Sequence, residues 1–413
     1  MKTYAMMILG CKVNDYEATY VRENMNKYFK EVSFKDSADI YLIFTCCVTN
    51  TAEAKTRKFI HDARRRNLNS YICAVGCLSQ IKSDTDVFND VDLIIGSDKK
   101  DIIVDLIRNG IKENKVNSII SDKFEDLFIN NYPNKSRSFL KIQDGCNQFC
   151  SYCVIPYSRG RERCANHNNV ILQAKKLAES SKEIVLTGIH TGRYFDGEYY
   201  LYDLLKDLCD ITKLETIRLS SIEITEINDN IIDLIKNNKL AHHLHIPVQS
   251  CCNSVLKAMH RPYTIEEFKN RINYIREQIP DISISTDLIV GFPNESDEDF
   301  DTIINELNDI KFSFIHVFPY SRKTGTLADK MEGHIDPKIK KQRVSKVIEN
   351  QKIITHEFNK TFINKEVEIL IEKNIDGFSY GYTKQYVYCK LNGIYNVGSI
   401  VKIKLEENML YES

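Results

Sequence analysis

The sequence lacks any long hydrophobic run. No stretch of about 18 consecutive apolar residues occurs among its 413 residues, so no membrane-spanning helix is expected. The apolar run near the N-terminus is too short for a signal peptide and has no cleavage site after it. A disulfide framework is also unexpected, because the 13 cysteines are odd in number and several stand alone in apolar runs. These absences favour a cytoplasmic protein with reduced thiols and no membrane partner.

The sequence also lacks an excess of charge of either sign. With a formal net charge of −1, its overall electrostatics do not indicate a nucleic-acid partner. Two local basic patches, at residues 55–66 and 159–163, are better candidates. A run of like charges is often only the solvated face of a helix, but the second patch directly follows a cysteine-rich loop. The candidate nucleic-acid contacts are Arg64, Arg65, Arg159, Arg161 and Arg163.

That loop, in the stretch GCNQFCSYCVIPYSRGRER, contains three cysteines in the spacing C-x3-C-x2-C. Thiolates this close together can hold an iron–sulfur cluster, and three ligands would leave one iron of a 4Fe-4S cluster open to a substrate or cosubstrate. The candidate ligands are Cys146, Cys150 and Cys153, and Tyr152 could lie against the base of a nucleotide cofactor. A structural zinc site and unrelated thiols are alternatives, but zinc prefers four ligands in paired units and no second pair follows nearby.

Predicted strands alternate with predicted helices over most of the chain, which indicates parallel α/β sheets covered on both faces. We expect an N-terminal α/β domain over residues 1–115, a polar linker over 116–134, and a second α/β domain over 135–360 with six strand–helix units. After a long charged helix predicted for Pro337–Lys360, the pattern changes to short alternating strands. Residues 361–413 are therefore predicted to form a small all-β barrel, which could bind RNA as many such modules do or could be a docking domain without RNA contact.

Three further cysteines follow predicted strands of the first domain. Cys11, Cys46 and Cys77 each come just after a strand, and in a parallel sheet these strand ends meet at one edge. They could converge on a second cluster, or they could be small buried hydrophobes, as we expect for Cys73 in the middle of a strand. Cys47 lies next to Cys46, which leaves the identity of the middle ligand ambiguous.

The cysteine loop, with an aromatic residue before its last cysteine, resembles that of the radical S-adenosylmethionine (radical SAM) enzymes. The resemblance implies a partial (β/α)6 barrel in which SAM binds the open iron of a 4Fe-4S cluster and is cleaved to a 5′-deoxyadenosyl radical. The stretches LGCKVNDYE, TCCVTN and VGCLSQ resemble the cysteine motifs of the methylthiotransferases within this group. That resemblance implies an auxiliary 4Fe-4S cluster on Cys11, Cys46 and Cys77, and a C-terminal β-barrel of the TRAM type, similar to an OB fold.

The same resemblance assigns residues at the ends of the barrel strands to SAM. Small residues after the second strand let the backbone approach the cofactor, and Glu223 could bond its ribose or ammonium group. The candidate cofactor contacts are Tyr152, Thr187, Gly188, Glu223, Gln249, Asp287 and Phe318. The chain departs from the family at Phe44, where Asn is usual, and at Cys164-Ala165, where Ser-Arg is usual. His242, His243 and His245 are interpreted as structural, because alternation along a strand would separate the first two.

The forms LGCKVNDYE and LTGIHTG are similar to those of methylthiotransferases that act on N6-threonylcarbamoyladenosine next to the tRNA anticodon. The resemblance implies radical insertion of sulfur at carbon 2 of the base and its methylation, with one SAM as radical source and another as methyl donor. The implied partners are tRNA, an electron donor such as flavodoxin or ferredoxin, and proteins that supply iron and sulfur. Isopentenyl-adenosine tRNA and a ribosomal protein aspartate are alternative substrates, and an RNA-binding protein with a structural metal is the non-enzymatic alternative.

Overall fold

The computed structural model describes residues 1–116, 120–132, 136–237 and 239–411. Its strands, in chain order, are β1 Thr3–Ile8, β2 Lys30–Glu31, β3 Ile40–Thr45, β4 Tyr71–Gly76, β5 Leu93–Ile95, β6 Glu113–Asn114, β7 Arg137–Lys141, β8 Gln143–Asp144, β9 Arg163–Cys164, β10 Glu183–Thr187, β11 Thr216–Leu219, β12 His243–His245, β13 Ser283–Val290, β14 Phe314–Pro319, β15 Glu366–Ile375, β16 Phe378–Thr383, β17 Tyr388–Asn392 and β18 Ile400–Lys404. Its α-helices are α1 Lys12–Met25, α2 Asn50–Arg66, α3 Cys77–Lys82, α4 Ile103–Arg108, α5 Ile155–Arg159, α6 His167–Leu177, α7 Leu201–Cys209, α8 Asp229–Asn237, α9 Asn253–Ala258, α10 Ile265–Gln278, α11 Asp297–Ile310 and α12 Pro337–Lys360.

The N-terminal part is a parallel sheet with the strand order β2-β1-β3-β4-β5-β6. Every residue of β3 is buried, as expected for a central strand covered on both faces. Alternate residues enter different cores, because side chains along a strand point to opposite faces. Leu42 lies in the core formed with α1 and α4, and Ile43 in the core formed with α2 and α3. The carboxyl ends of β1, β3 and β4 lie side by side at one edge of this sheet.

The central part is an open barrel of parallel strands. One sheet contains β7, β10 and β11, a second contains β12, β13 and β14, and a parallel bridge between Ser221 and His245 joins them. The strands therefore follow one another around the barrel in chain order. Helices such as α6, α7 and α10 pack on the outside with the apolar residues of the strands. In barrels of this kind the carboxyl ends of the strands carry the active site.

The C-terminal part is an antiparallel sheet in the order β17-β16-β15-β18, and it docks on the barrel. Arg218 in β11 donates to the carbonyl oxygens of Lys384 at 3.2 Å and Thr383 at 3.5 Å. The ring of Tyr386 stacks on His243, the first residue of β12, with 4.8 Å between the ring centroids. The tip of this sheet, residues 383–387, therefore covers the barrel at the amino-terminal ends of its strands.

The predicted α/β class is confirmed, and the helix predicted for Pro337–Lys360 has those bounds. The sequence also predicts a helix over residues 98–109, but α4 begins only at Ile103, because Lys99 has a left-handed backbone with φ +63. The sequence indicated only a turn around Gly377, whereas β16 directly follows this turn. Parts of the predicted linker, residues 117–119 and 133–134, lie outside the described residues, as do 412–413, and the domain boundaries stay predictions. Among the described residues, no helix combines the length and the apolar composition needed to cross a membrane.

Candidate active site

The loop after β8 brings Cys146, Cys150 and Cys153 together at the carboxyl-terminal end of the barrel. Phe149 has a left-handed backbone with φ +50, and the Cys153 amide donates to the Cys150 carbonyl at 3.0 Å, so the loop folds back on itself. Burial raises the pKa of Cys153 to about 12 against the effect of a hydrogen bond from the Ile155 amide, and the Cys150 and Cys146 sulfurs contribute to the rise. The three thiols therefore share one small space.

Two more N–H donors surround this triplet. The Gln148 amide donates to Sγ of Cys146 at 3.4 Å, and Nη1 of Arg261 donates to Sγ of Cys150 at 3.5 Å. Arg261 also pairs with Glu223, a predicted cofactor contact, and holds it beside the loop. N–H groups directed at sulfur favour thiolates and tune iron–sulfur clusters. The residues present therefore fit a 4Fe-4S cluster better than they fit three unrelated buried thiols.

Most of the other predicted cofactor contacts lie at strand ends around the same end of the barrel: Thr187, Gly188, Gln249 and Phe318, with Tyr152 in the cysteine loop. Asp287 instead lies within β13, three residues before its end, and its carboxylate is 3.3 Å from Nε2 of His245. A Cβ at Gly188 would lie only 3.0 Å from side-chain atoms of Gln143 and Thr191, so a larger residue there would require these neighbours to move. Gln249 has a left-handed backbone with φ +66, and its carbonyl accepts the Ile289 amide at 2.8 Å. The part that these residues play in binding SAM stays a prediction.

Sequence reasoning missed His190, which lies against the cysteine loop. Its Nδ1 is 3.6 Å from Sγ of Cys146 and 3.3 Å from a carboxylate oxygen of Glu162, and its Nε2 is 2.7 Å from Glu226. Burial would lower the pKa of His190, but hydrogen bonds with Cys146, Glu162 and Glu226 outweigh this effect and raise it to about 12. His190 belongs to the stretch LTGIHTG, so the signal was present in the sequence without a role attached to it.

Cys11, Cys46 and Cys77 come together at the carboxyl edge of the N-terminal sheet. Each follows a different strand: β1, β3 and β4. Gly10 has φ +104, and a Cβ there would lie 3.2 Å from Sγ of Cys46, so the loop requires glycine. Gly76, with φ +107, has the same role before Cys77. Strand order and two glycine turns thus place three thiols at one point.

The sulfurs of this second triplet also accept N–H donors. Amides at the start of α1 bond Cys11, and the Val48 amide bonds Cys46. Nε of Arg159 donates to Sγ of Cys77 at 3.1 Å. This set of donors is the same kind as around the first triplet, and it is compatible with a second iron–sulfur cluster.

Cys47 has different neighbours from Cys46. Burial raises the pKa of Cys46 to about 11, and the charges of Cys77 and Cys11 both contribute, so the Cys46 sulfur lies near both. The Cys47 thiol instead donates to Cys77 and lies 3.7 Å from the hydroxyl oxygen of Ser158. That hydrogen bond from Cys47 is the main cause that lowers the pKa of Cys77 to about 6. This arrangement favours Cys46 as the third member of the triplet.

A buried network of charges lies between the two triplets. Arg159, at the end of α5, pairs with Glu17 at 2.6 Å and with Asp144 at 3.3 Å, and Nζ of Lys141 is 2.7 Å from both carboxylates. Burial would raise the pKa of Glu17, but Arg159, Lys100 and Lys141 outweigh it and lower this pKa to about 2. Glu17 lies in α1 and Asp144 in β8, so the network fixes the first domain on the barrel.

The prediction that Arg159 contacts nucleic acid is wrong. Its side chain has no exposed surface, and its donors are used by Glu17, Asp144 and Cys77. Arg163 is also buried, with Nη2 at 3.1 Å from Asp144, so the same correction applies to it. A cluster of arginines next to an acidic partner can serve the fold rather than a ligand.

The other predicted nucleic-acid contacts differ among themselves in exposure. Arg64 donates to main-chain carbonyls and pairs with Asp92 at 3.0 Å, so it ties α2 to the sheet. Arg161 is exposed, with its guanidinium 4.8 Å from the ring centre of Phe149. The side chain of Arg65 is 70% exposed. Arg161 and Arg65 therefore stay as the candidate contacts.

A cavity of about 980 Å³ occupies the interior of the barrel. Lys12, which directly follows Cys11, lines this cavity. Tyr386 from the C-terminal sheet lies beside it at the amino-terminal end of the barrel strands. His243 and His245 also line it and share the hydroxyl of Ser285, each at 2.9 Å. His242 bonds Asp281 instead, so the structure separates it from the other two as the sequence predicted.

A parallel six-strand barrel whose first strand leads into a C-x3-C-x2-C loop, with N–H donors on all three sulfurs, is the architecture of a radical SAM enzyme. Residues 140–307 match the model of the radical SAM superfamily, and residues 3–96 match that of the "Uncharacterized protein family UPF0004". The chain belongs to the radical SAM methylthiotransferase family, as its relatives show.

These relatives are similar over nearly their whole length. The threonylcarbamoyladenosine tRNA methylthiotransferase MtaB of Bacillus subtilis (strain 168) is 37% identical, over 98% of this chain and 94% of the relative. Its counterpart from Aquifex aeolicus (strain VF5) is 36% identical, over 97% and 99%. A tRNA-2-methylthio-N(6)-dimethylallyladenosine synthase of Thermodesulfovibrio yellowstonii is 33% identical, over 98% and 96%.

Among solved structures, the fold is similar to that of the cobalamin-dependent SAM radical enzyme OxsB. The TM-score is 0.52 at 10% sequence identity, and the match covers 85% of this chain and 56% of that chain. At this identity the similarity concerns the fold alone.

Proposed function

We propose that this protein converts N6-threonylcarbamoyladenosine next to the anticodon of tRNA to its 2-methylthio derivative. The observation that carries the proposal is the placement of two cysteine triplets on either side of one charged contact. Arg159 donates to Cys77 of one triplet and pairs with Asp144. The Asp144 carboxylate accepts the amide of Gly145, which precedes Cys146 of the other triplet, at 2.8 Å.

The chemistry of this substrate requires such a site. Carbon 2 of adenine carries an unactivated C–H bond that no side-chain base can ionise, so the reaction needs a radical from a cofactor. A 4Fe-4S cluster on Cys146, Cys150 and Cys153 would supply the electron that cleaves SAM, and one on Cys11, Cys46 and Cys77 would supply sulfur, with a further SAM as methyl donor.

The residues of the chain bind and orient the reactants. Arg261 holds Glu223 beside the loop, where its carboxylate can bond the ribose or the ammonium group of SAM. Gly188 leaves room for the amino-acid end of SAM, and Tyr152 lies next to Cys153 for the base. The target nucleotide has to leave its stack to enter the barrel, as in other enzymes that modify a base.

Several partners belong to this proposal. The exposed Arg161 and Arg65 contact the tRNA backbone, and the C-terminal sheet is a TRAM-type module that docks on the barrel. An electron donor such as flavodoxin or ferredoxin reduces the protein, and iron–sulfur supply proteins provide iron and sulfur.

A second candidate substrate is dimethylallyladenosine in tRNA, which is favoured by the relative named for it at 33% identity. The experiment is an anaerobic reaction of the reconstituted enzyme with tRNAs carrying either modified base or with ribosomal protein, followed by mass spectrometry of the products. We expect a 2-methylthio product only on the threonylcarbamoyl base. In cells that lack the protein, this product should disappear and return with the wild type but not with Cys150→Ala. A product on dimethylallyladenosine, or on ribosomal protein alone, would contradict the proposal.

A further inference from the structure

The position of Lys12 in the cavity is unusual for a charged residue. It is the first residue of α1 and lies in the interior of the molecule, yet it is exposed because it faces the cavity. Cys11, directly before it, is exposed as well. Lys12 thus presents an ammonium group in the cavity, and it directly follows Cys11, a proposed cluster ligand.

The guanidinium groups in the same cavity are already neutralised. Arg218 pairs with Glu183 at 3.0 Å, and Arg137 pairs with Glu183 at 3.4 Å and with Glu372 at 2.5 Å. Within the part of the chain that the structure describes, no carboxylate lies within 4.0 Å of the ammonium of Lys12. A cation in a confined space that has no anionic partner attracts an anionic group of any molecule that binds there.

The acidic and titratable groups nearby are committed elsewhere. The carboxylate of Asp287 lies 3.3 Å from Nε2 of His245. The imidazole of His316 packs edge to face against the same His245 ring, at 5.6 Å between centroids. Among the described residues, Lys12 therefore has no carboxylate paired with it, and its ammonium is open to an anionic group of a ligand.

We infer that Lys12 binds the carboxylate of the threonyl group on the target base and so determines specificity for this substituent. The inference rests on the proposed function. The threonylcarbamoyl group carries a carboxylate, whereas a dimethylallyl group at the same nitrogen is uncharged. A buried carboxylate without a partner is costly, and a charged hydrogen bond repays that cost. Because Lys12 follows Cys11, this contact also holds the base next to the triplet that would supply sulfur.

The test uses the anaerobically reconstituted, full-length protein and synthetic anticodon stem-loops. One RNA carries the threonylcarbamoyl base with its free carboxylate, a second carries the methyl ester of the same group, and a third carries unmodified adenosine. We expect the wild type to bind the acid about 10- to 100-fold more tightly than the ester, as a charged hydrogen bond would require. Lys12→Gln should remove this preference, Lys12→Arg should keep it, and Lys27→Gln, just beyond the other end of α1, should match the wild type.

Turnover provides the second readout. For the acid, Lys12→Gln should raise KM by a similar factor with kcat nearly unchanged, since a binding contact is lost. If Lys12→Gln keeps the preference for the acid, the inference is wrong. If it weakens all three RNAs equally, Lys12 contacts a backbone phosphate and the inference is again wrong. In both cases wild-type methylthiolation of the acid RNA would leave the proposed function standing, and its absence would refute both. Iron content equal to that of the wild type shows that each variant is folded and loaded.

Discussion

The two cysteine triplets differ in how the chain builds them. Cys146, Cys150 and Cys153 belong to one short loop whose shape depends on a few backbone hydrogen bonds and two residues with positive φ, Gly145 and Phe149. The other triplet takes one thiol from each of three loops, and only the order of β1, β3 and β4 brings them together. The first site is therefore a property of a local sequence, and the second is a property of a folded sheet.

The largest expected effect is on iron content and SAM cleavage, which should distinguish variants of the first triplet from variants of the second. Cys150→Ala should lose half of the iron and sulfide of the wild type and all cleavage of SAM, because the open-iron cluster loses a ligand. Cys46→Ala should also lose half of the iron but should still cleave SAM without forming the methylthio product. Iron and sulfide analysis, with detection of 5′-deoxyadenosine after reduction, measures both outcomes.

Cys47→Ala is the matched control for this comparison, because Cys47 donates to Cys77 of the second triplet but is not its proposed third ligand. It should keep the full iron content. If Cys47→Ala lost half of the iron and Cys46→Ala kept all of it, Cys47 rather than Cys46 would be the third ligand of the second triplet. Full iron in both Cys46→Ala and Cys150→Ala would refute the assignment of two separate sites.

An effect of intermediate size is expected in the network between the triplets. Glu17→Gln leaves Arg159, Lys141 and Lys100 buried with one carboxylate fewer, and removing one partner of a buried ion pair costs about 3–5 kcal/mol. The midpoint of urea unfolding should fall by a corresponding amount, whereas Glu179→Gln, in an exposed pair with Lys176, should leave it unchanged. Equal midpoints for the wild type and Glu17→Gln would mean that the network does not support the fold.

The same carboxylate predicts how stability depends on pH. The pKa of Glu17 in the folded protein, about 2, lies below its ordinary value of 4.5. Its contribution is therefore complete above pH 4.5 and is lost as the pH falls towards 2. Unfolding midpoints of the wild type should fall over this window, and those of Glu17→Gln should fall less.

The smallest expected effect concerns RNA. Arg161 is exposed next to the first triplet, so Arg161→Gln should reduce the slope of log K against log salt by about 0.7–0.9, the value for one phosphate contact. Arg108→Gln, on α4 over the ring of Tyr28, is the control and should not change the slope. An unchanged slope for Arg161→Gln would remove the patch at 159–163 from the RNA surface altogether.

Much of this architecture could be predicted from the sequence, because hydrophobic runs and helical spacing are local. The strands that lead to Cys11, Cys46 and Cys77 were predicted as Tyr4–Leu9, Ile40–Phe44 and Tyr71–Val75, and each bound lies within about one residue of the observed one. Contacts between residues that are far apart in the sequence could not be predicted. Arg159 resembled part of a surface patch, yet it pairs with Glu17, and nothing in the local pattern indicates this partner.

The same limit explains two other omissions. His190 reaches Cys146 from the end of β10, and Arg261 reaches Cys150 from the turn after α9. Both contacts depend on how loops from different strands meet, which spacing within one loop does not specify. The docking of Tyr386 on His243 likewise joins residues from two separate parts of the chain.

The position of that C-terminal sheet has a consequence for the reaction chamber. At the amino-terminal end of the barrel, the C-terminal sheet covers the cavity with Tyr382 and Tyr386. It limits how much bulk water reaches Lys12, Arg137 and Arg218 from that side. Electrostatic attraction weakens as the effective dielectric constant rises, so a chain cut before β15 would hold the substrate carboxylate less firmly even with every cysteine in place. The last part of the sequence thus closes the cavity at the amino-terminal end of the barrel, and a protein truncated before β15 would expose Arg137 and Arg218 to more water.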